Sequence, residues 1–227
     1  LWRAHWTDAT HEHMVQPAMV YLSQPTENGT LYSLEELDAI WQVCQSKGLI
    51  LYIDGARLGY GLMSKACDMT LPDLAIRCDA FTIGGTKQGL LFGEALVIRN
   101  RALNRDFRYL IKQRGGLLAK GRLLGVQFSA ILEEELYFTL SRQADEFAMK
   151  IRRAFEAKGC PMLYDSYTNQ QYPIMPDEEL AILGKNFGYE YWERTDPTPS
   201  GVRFCASWAT TQENVDALRA AVQALKK

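Results

Sequence analysis

The chain has 227 residues, 47% of them apolar and 23% charged, which is the composition of a globular protein able to bury a sizeable core. A net charge of −2 offers no basic field to a nucleic acid. No apolar run approaches the ~18 residues that a membrane span needs, so neither nucleic acid nor membrane is expected as a partner.

The opening stretch, "LWRAHWTDATHEHM", lacks the apolar centre of a secretory signal. It begins on Leu1 rather than Met, and an N-terminal part is therefore expected to be missing. His5, His11 and His13 fall in polar surroundings and read as solvated, so no metal is expected. From Met19, "MVYLSQ" reads as a short buried strand, and "PTENGT" as a turn broken by Pro25, Asn28 and Gly29. A helix follows. Ser33 and Glu36 stand at capping-box spacing, Leu34, Leu37, Ile40, Trp41 and Cys44 recur on one face, and Gly48 closes it.

"LILYI", Leu49 to Ile53, is apolar on both faces, as suits a parallel strand covered by helices on both sides. It ends in Asp54-Gly55. Further strands are predicted over Ala80 to Ile83 and Ala95 to Ile98. Strand and helix alternate here, which points to an α/β fold with a mostly parallel sheet and right-handed crossovers. "GGLLAKGRLLGVQFSAILEEELYFTL" reads mainly as one long helix, and residues 141–158 as another that ends at Gly159. Beyond it, short aromatic segments such as "QQYPIM" and "GVRFCASW" alternate with turn residues and predict a small antiparallel sheet. A last helix starts near Thr210, with Glu213 in capping-box register. The domain boundary is set near residue 142, giving a large domain over 1–141 and a small α+β domain over 142–227.

Five cysteines, Cys44, Cys67, Cys78, Cys160 and Cys205, are odd in number and form no CxxC pair. They read as free buried thiols of a cytoplasmic protein rather than a disulfide framework or zinc site.

Ligands of parallel α/β sheets collect beyond the carboxyl ends of the strands. Asp54 closes one strand, and Lys87 follows another through "GGTK". Arg57 stands just past Asp54. The pattern is no phosphate loop, because Gln88 stands where Ser or Thr is required. Gly59-Tyr60-Gly61 gives only half of a dinucleotide fingerprint. A Schiff-base lysine fits better, with small neighbours leaving room for a flat ring and Asp54 as the carboxylate at a pyridine nitrogen. The same two residues also suit a plain ion pair at the sheet rim. Val202, Phe204, Ala206 and Trp208 alternate onto one strand face and leave Arg203 on the other with Cys205 and Ser207. That placement fits either a carboxylate clamp or an arginine facing solvent. Trp41, Tyr191, Trp192 and Trp208 read as core aromatics.

The ordered set "VYLSQPTENGTLYSLEEL", "LYIDGARLGYGL", "DAFTIGGTKQGLLFGEALVI", "KQRGGLLAKGRLLGVQF" and "GVRFCASW" resembles the threonine aldolase/β-eliminating lyase family of fold-type I pyridoxal-phosphate enzymes. The resemblance covers most of the chain. It implies a lyase that cleaves β-hydroxy-α-amino acids, L-threonine to glycine and acetaldehyde, with pyridoxal 5′-phosphate as cofactor. On that resemblance Lys87 holds the cofactor and Asp54 faces its ring nitrogen. Thr86 reaches its phosphate, and Lys120 reaches a phosphate in a neighbouring subunit. Arg57 lies beside both cofactor and substrate, and Arg203 grips the substrate α-carboxylate. Gln24, Thr26 and Glu27 fall near the cofactor's phenolic oxygen. A small amino acid is the implied substrate, and a homodimer or homotetramer the implied assembly. The family's phosphate-cradling loop and ring-stacking histidine come from a part of the fold that precedes this chain. β-Elimination or transamination on the same cofactor, and a cofactor-free assembly module, are the alternatives.

Overall fold

The computed structural model describes residues 2–194 and 199–225. A short helix α1 (Trp2–Thr7) precedes β1 (Met19–Ser23), α2 (Leu34–Lys47) and β2 (Ile50–Asp54). Then come α3 (Leu58–Met63), α4 (Leu71–Ala75), β3 (Ala80–Gly84) and β4 (Glu94–Ile98). Three helices follow: α5 (Phe107–Gln113), α6 (Arg122–Leu132) and the long α7 (Leu136–Lys158). The remainder is β5 (Gln170–Gln171), β6 (Ile174–Met175), α8 (Asp177–Leu183), β7 (Glu190–Arg194), β8 (Ser200–Cys205) and α9 (Gln212–Ala224).

The first sheet runs in the order β1-β2-β3-β4, with β1, β2 and β3 parallel and β4 antiparallel to β3. This is the expected mostly parallel α/β arrangement. The capping box of α2 forms as its sequence dictates. Ser33 Oγ accepts from the Glu36 amide, and the Glu36 carboxylate accepts from the Ser33 amide. Such a cap contributes about 1 kcal/mol. Leu37 and Cys44 of α2 bury against Leu51, Ile53, Phe81 and Ile83, the inward residues of β2 and β3.

Cover on both faces of β2 was expected, and only one face has it. Leu51 and Ile53 are buried, while Ile50, Tyr52 and Asp54 are half-exposed. The registers Tyr21↔Tyr52 and Thr82↔Leu96 put Tyr21, Tyr52 and Leu96 on one side of the sheet. Tyr21 is 58% and Leu96 41% exposed there, since no helix of the described residues packs over them.

The second sheet is antiparallel, as predicted, with β8 flanked by β5, β6 and β7. Its core joins Val202, Phe204 and Ala206 to Phe147, Ile151 and Phe155 of α7 and to Val215, Leu218 and Val222 of α9. Helix α7 thus serves both cores. Tyr137 and Leu140 belong to the first, and the residues from Ala144 onward to the second.

Two helix expectations need correction. The long helix does not run to residue 140, because Glu133–Glu135 forms a separate turn with left-handed backbone at Glu134 and Glu135. A non-glycine residue rarely adopts that region, and three adjacent carboxylates in an apolar run carry no pattern that announces it. The cap of α9 is Thr211 with Asn214, one residue later than expected. Tyr191 and Trp208 are 65% and 46% exposed rather than core, Tyr191 on β7 and Trp208 beyond the end of β8.

Candidate active site

The carboxyl ends of β1, β2 and β3 lie side by side, and their connections are bonded together. The Gln24 amide donates to the Asp54 carbonyl (3.0 Å), and the Gly55 amide to Thr82 Oγ1 (2.9 Å). The Gly84 amide donates to the Gly55 carbonyl (2.9 Å). Glycine is required on both sides of this joint. A Cβ on Gly55 would lie 1.9 Å from the Thr82 carbonyl oxygen, and one on Gly84 would lie 2.5 Å from that of Ala56. The turn that carries Asp54 and Arg57 is therefore pressed against the strand that delivers Thr86 and Lys87.

Asp54 is half-buried and well supplied with donors. The Tyr21 hydroxyl donates to Oδ2, and the Ala56 amide to Oδ1 at 2.8 Å. The hydrogen bond to Asp54 pushes the Tyr21 hydroxyl up to about 12, so it stays a donor at neutral pH. Thr86 and Lys87 sit in an exposed 3-10 turn, Thr86–Gln88. The Lys87 carbonyl accepts the Tyr60 hydroxyl. Next to it, the fully buried Gln88 has neither side-chain amide atom bonded.

Arg57 and Arg203 approach the same region from different elements. Arg57 Nη1 meets Glu27 Oε2 at 3.4 Å. The backbone carbonyl of Glu27 accepts from the Tyr172 hydroxyl (2.5 Å) and from Gln170 Nε2 (3.2 Å). Gln170 Oε1 in turn accepts from Arg203 Nη1 at 2.9 Å. Burial pushes the Tyr172 hydroxyl up to about 12, against the pull of Arg203 and Arg57, so both cations act on it. Arg203 Nη2 also meets the Glu190 carboxylate, its Nε is buried without a partner, and the guanidinium lies 4.9 Å from the Trp192 ring centre.

Of the residues singled out in the sequence, Asp54, Arg57, Thr86 and Lys87 thus share one strand-end rim, and Arg203 joins it through Gln170 and Glu27. Lys120 lies apart from this network, exposed in the turn before α6. Gln24 is 3% exposed and clamps the backbone of Tyr32 with both amide atoms. Thr26 bonds Thr30. Sequence reasoning missed Tyr21, Gln170, Tyr172 and Glu190. It also took Trp192 for core, whereas that ring backs the Arg203 guanidinium. Tyr21 was within reach, since alternation along β1 in register with β2 puts it on the face of Asp54. Gln170 sits on a two-residue strand and Tyr172 just beyond it, and neither position is marked as functional by a pattern.

Two small-residue turns bear a carboxylate and an amine at adjacent parallel strand ends of an α/β sheet, with a guanidinium brought in from the second sheet, and it is at such strand ends that ligands of this fold class collect. Comparison with known proteins agrees. The chain belongs to the β-eliminating lyase family, whose profile matches residues 3–177. It is 30% identical over 94% of its length to a low specificity L-threonine aldolase of Pseudomonas sp.. A threonine aldolase structure from Leishmania major superposes with a TM-score of 0.92 at 41% identity, over 94% of this chain. A structure of SPT with a PLP internal aldimine shares the fold at a TM-score of 0.63 and 14% identity. The chain spans 61% of the Pseudomonas protein and 63% of the Leishmania one.

Proposed function

We propose that this chain carries the lysine end of a pyridoxal-phosphate-dependent lyase site that cleaves β-hydroxy-α-amino acids, L-threonine giving glycine and acetaldehyde. One observation carries the reading. Asp54 and Lys87 leave adjacent parallel strands through turns whose backbones touch at Gly55 and Gly84. The names of the relatives support the same reaction, and a solved neighbour holding PLP supports the cofactor.

The residues present fit that cofactor at two of its ends. The Lys87 amine is exposed and can bond an aldehyde carbon. The Asp54 carboxylate can keep a proton on a ring nitrogen, and the Tyr21 hydroxyl and Ala56 amide fix its orientation. The orphaned amide of Gln88 and the orphaned Nε of Arg203 are buried polar atoms that a ligand would satisfy. In the proposed site the Thr86 hydroxyl serves the phosphate, as does Lys120 of a neighbouring copy. When bound, pyridoxal phosphate supplies a sink for the electron pair left on Cα as the Cα–Cβ bond breaks. Arg203 and Arg57 hold the substrate carboxylate, which fixes the rotation about Cα and so selects the bond to be broken.

Residues 1–141 are proposed as the cofactor domain and 142–227 as the small domain. A cytoplasmic homodimer or homotetramer completes the proposal. Its support is α6, where Ile131 is the single fully buried residue while Leu123, Val126 and Leu132 are exposed.

The test is an absorbance titration of the chain with pyridoxal phosphate, paired with product assays. The expected outcome is a new long-wavelength band that Lys87→Ala abolishes, and acetaldehyde from threonine exceeding pyruvate from serine at least tenfold. Equal bands in the parent chain and Lys87→Ala would refute the lysine assignment. Pyruvate as the main product would move the chain to β-elimination.

A further inference from the structure

A cavity of about 520 Å³ opens where α7 passes the end of α3 and the loop bearing Tyr167. None of Asp54, Arg57, Thr86, Lys87 or Arg203 lines it. Its α7 wall is residues 142, 145, 146, 149, 150 and 153, a spacing of three and four that keeps them on one helical face. Four cations, Lys65, Arg142, Lys150 and Arg153, outnumber the exposed carboxylate of Glu146. The ion pairs on this part of α7 belong to Arg152, which binds Glu156 and Asp165. Lys150 meets Gln212, a neutral partner, at 2.5 Å.

The wall holds one more polar group, and it is buried. Asp145 is 4% exposed, and neither of its carboxyl oxygens has a hydrogen-bond partner. Burial pushes the carboxyl up to about 9, against the pull of the Asn169 backbone amide, so at neutral pH it carries its proton and presents an O–H donor. An unsatisfied donor beside a cavity costs free energy that a ligand oxygen would recover. Met63, Met149 and the Tyr167 ring give the same cavity an apolar, adaptable side.

We propose that this cavity is a second ligand site, one that takes a small organic carboxylate with an apolar body. Arg142 and Arg153 neutralise the carboxylate, the Asp145 O–H donates to it, and the body lies along Met63 and Met149. An inorganic anion would leave the methionines unused, and a cationic ligand would meet a surplus of positive charge. The site stands one side chain from the proposed cofactor lysine. Asp145 lies close to the buried Tyr60, whose hydroxyl donates to the Lys87 carbonyl.

Calorimetric titration of the chain with octanoate tests this, using Arg142→Gln/Arg153→Gln as the site variant and Arg203→Gln as the control for the other site. Both arginines of the double variant are exposed, so the fold survives the change. The expected result is saturable binding of one octanoate per chain, weakened tenfold or more in the double variant and unchanged in Arg203→Gln, with inorganic phosphate failing to compete. Absence of saturable heat at millimolar octanoate overturns the proposal. So does binding that is lost in Arg203→Gln, or equal affinity in the double variant, or tight competition by phosphate.

Discussion

Arg203 divides its donors among Gln170, Glu190 and an unfilled Nε position, with Trp192 behind the guanidinium. Glu190 is a carboxylate on the neighbouring strand, and its side chain is 65% exposed. In the proposed site it holds the fork that a substrate carboxylate would use, and so would compete with it. An exposed ion pair of this kind contributes about 0–1 kcal/mol. Glu190→Gln is therefore expected to lower KM for threonine about two- to fivefold and leave kcat nearly unchanged, which steady-state kinetics would show. A raised KM would mean that Glu190 positions the arginine instead of shielding it. Residue identity alone carried Arg203 part of the way, because strand alternation set it opposite Val202 and Phe204. It could not reveal Glu190, since that contact depends on β7 pairing with β8 across a connection of irregular sequence.

Among the elements, the joint between the turn after β2 and the end of β3 leaves least room for change. A Cβ on Gly84 would meet the Ala56 oxygen at 2.5 Å and its Cα at 2.7 Å, and neither is a side-chain end that could rotate away. Overpacking of this kind costs about 1–3 kcal/mol. Gly84→Ala is expected to lower Tm by several degrees and to weaken cofactor binding roughly tenfold, about 1.4 kcal/mol. Thermal melts and the cofactor absorbance band would measure the two effects, and parent-like values in both would remove the joint from the account. Elements with strong local chemistry were legible beforehand. The Ser33 and Glu36 cap is a pair of side chains bonding their own backbone, the Gly48 stop needs only a residue free to turn left-handed, and Asp54 and Lys87 stand where apolar runs break on glycines. The break at Glu133–Glu135 was not legible, because apolar periodicity continues through "AILEEELYFTL" while the backbone turns left-handed at two glutamates.

Across the whole molecule, apolar surface is unevenly spent. One face of the first sheet leaves Met19, Tyr21 and Leu96 exposed, and α6 presents Leu123 and Val126 at 59% and 49% exposure. Large apolar side chains exposed in such number make a candidate interface. With Leu91, Phe92 and Leu118 also exposed nearby in the chain, the α6 region is the surface proposed to join copies. Leu123→Glu combined with Val126→Glu is expected to shift the protein to a smaller species in sedimentation velocity, while the circular dichroism spectrum stays the same. An unchanged sedimentation coefficient would place the contact elsewhere.

The carbonyl oxygen of residue 27 takes bonds from both Tyr172 and Gln170. A few residues on, Gly29 lies so close to Ser166 that an added Cβ would fall 2.1 Å from its Oγ. The small sheet is thereby moored to the loop that leaves the first strand. In the proposed site, a swing of Arg203 towards a bound amino acid would pull on Gln170 and, through it, on that oxygen and the loop that bears it. The grip of Arg203 and the posture of Arg57, which meets the side chain of that same residue 27, are geared together by this mooring.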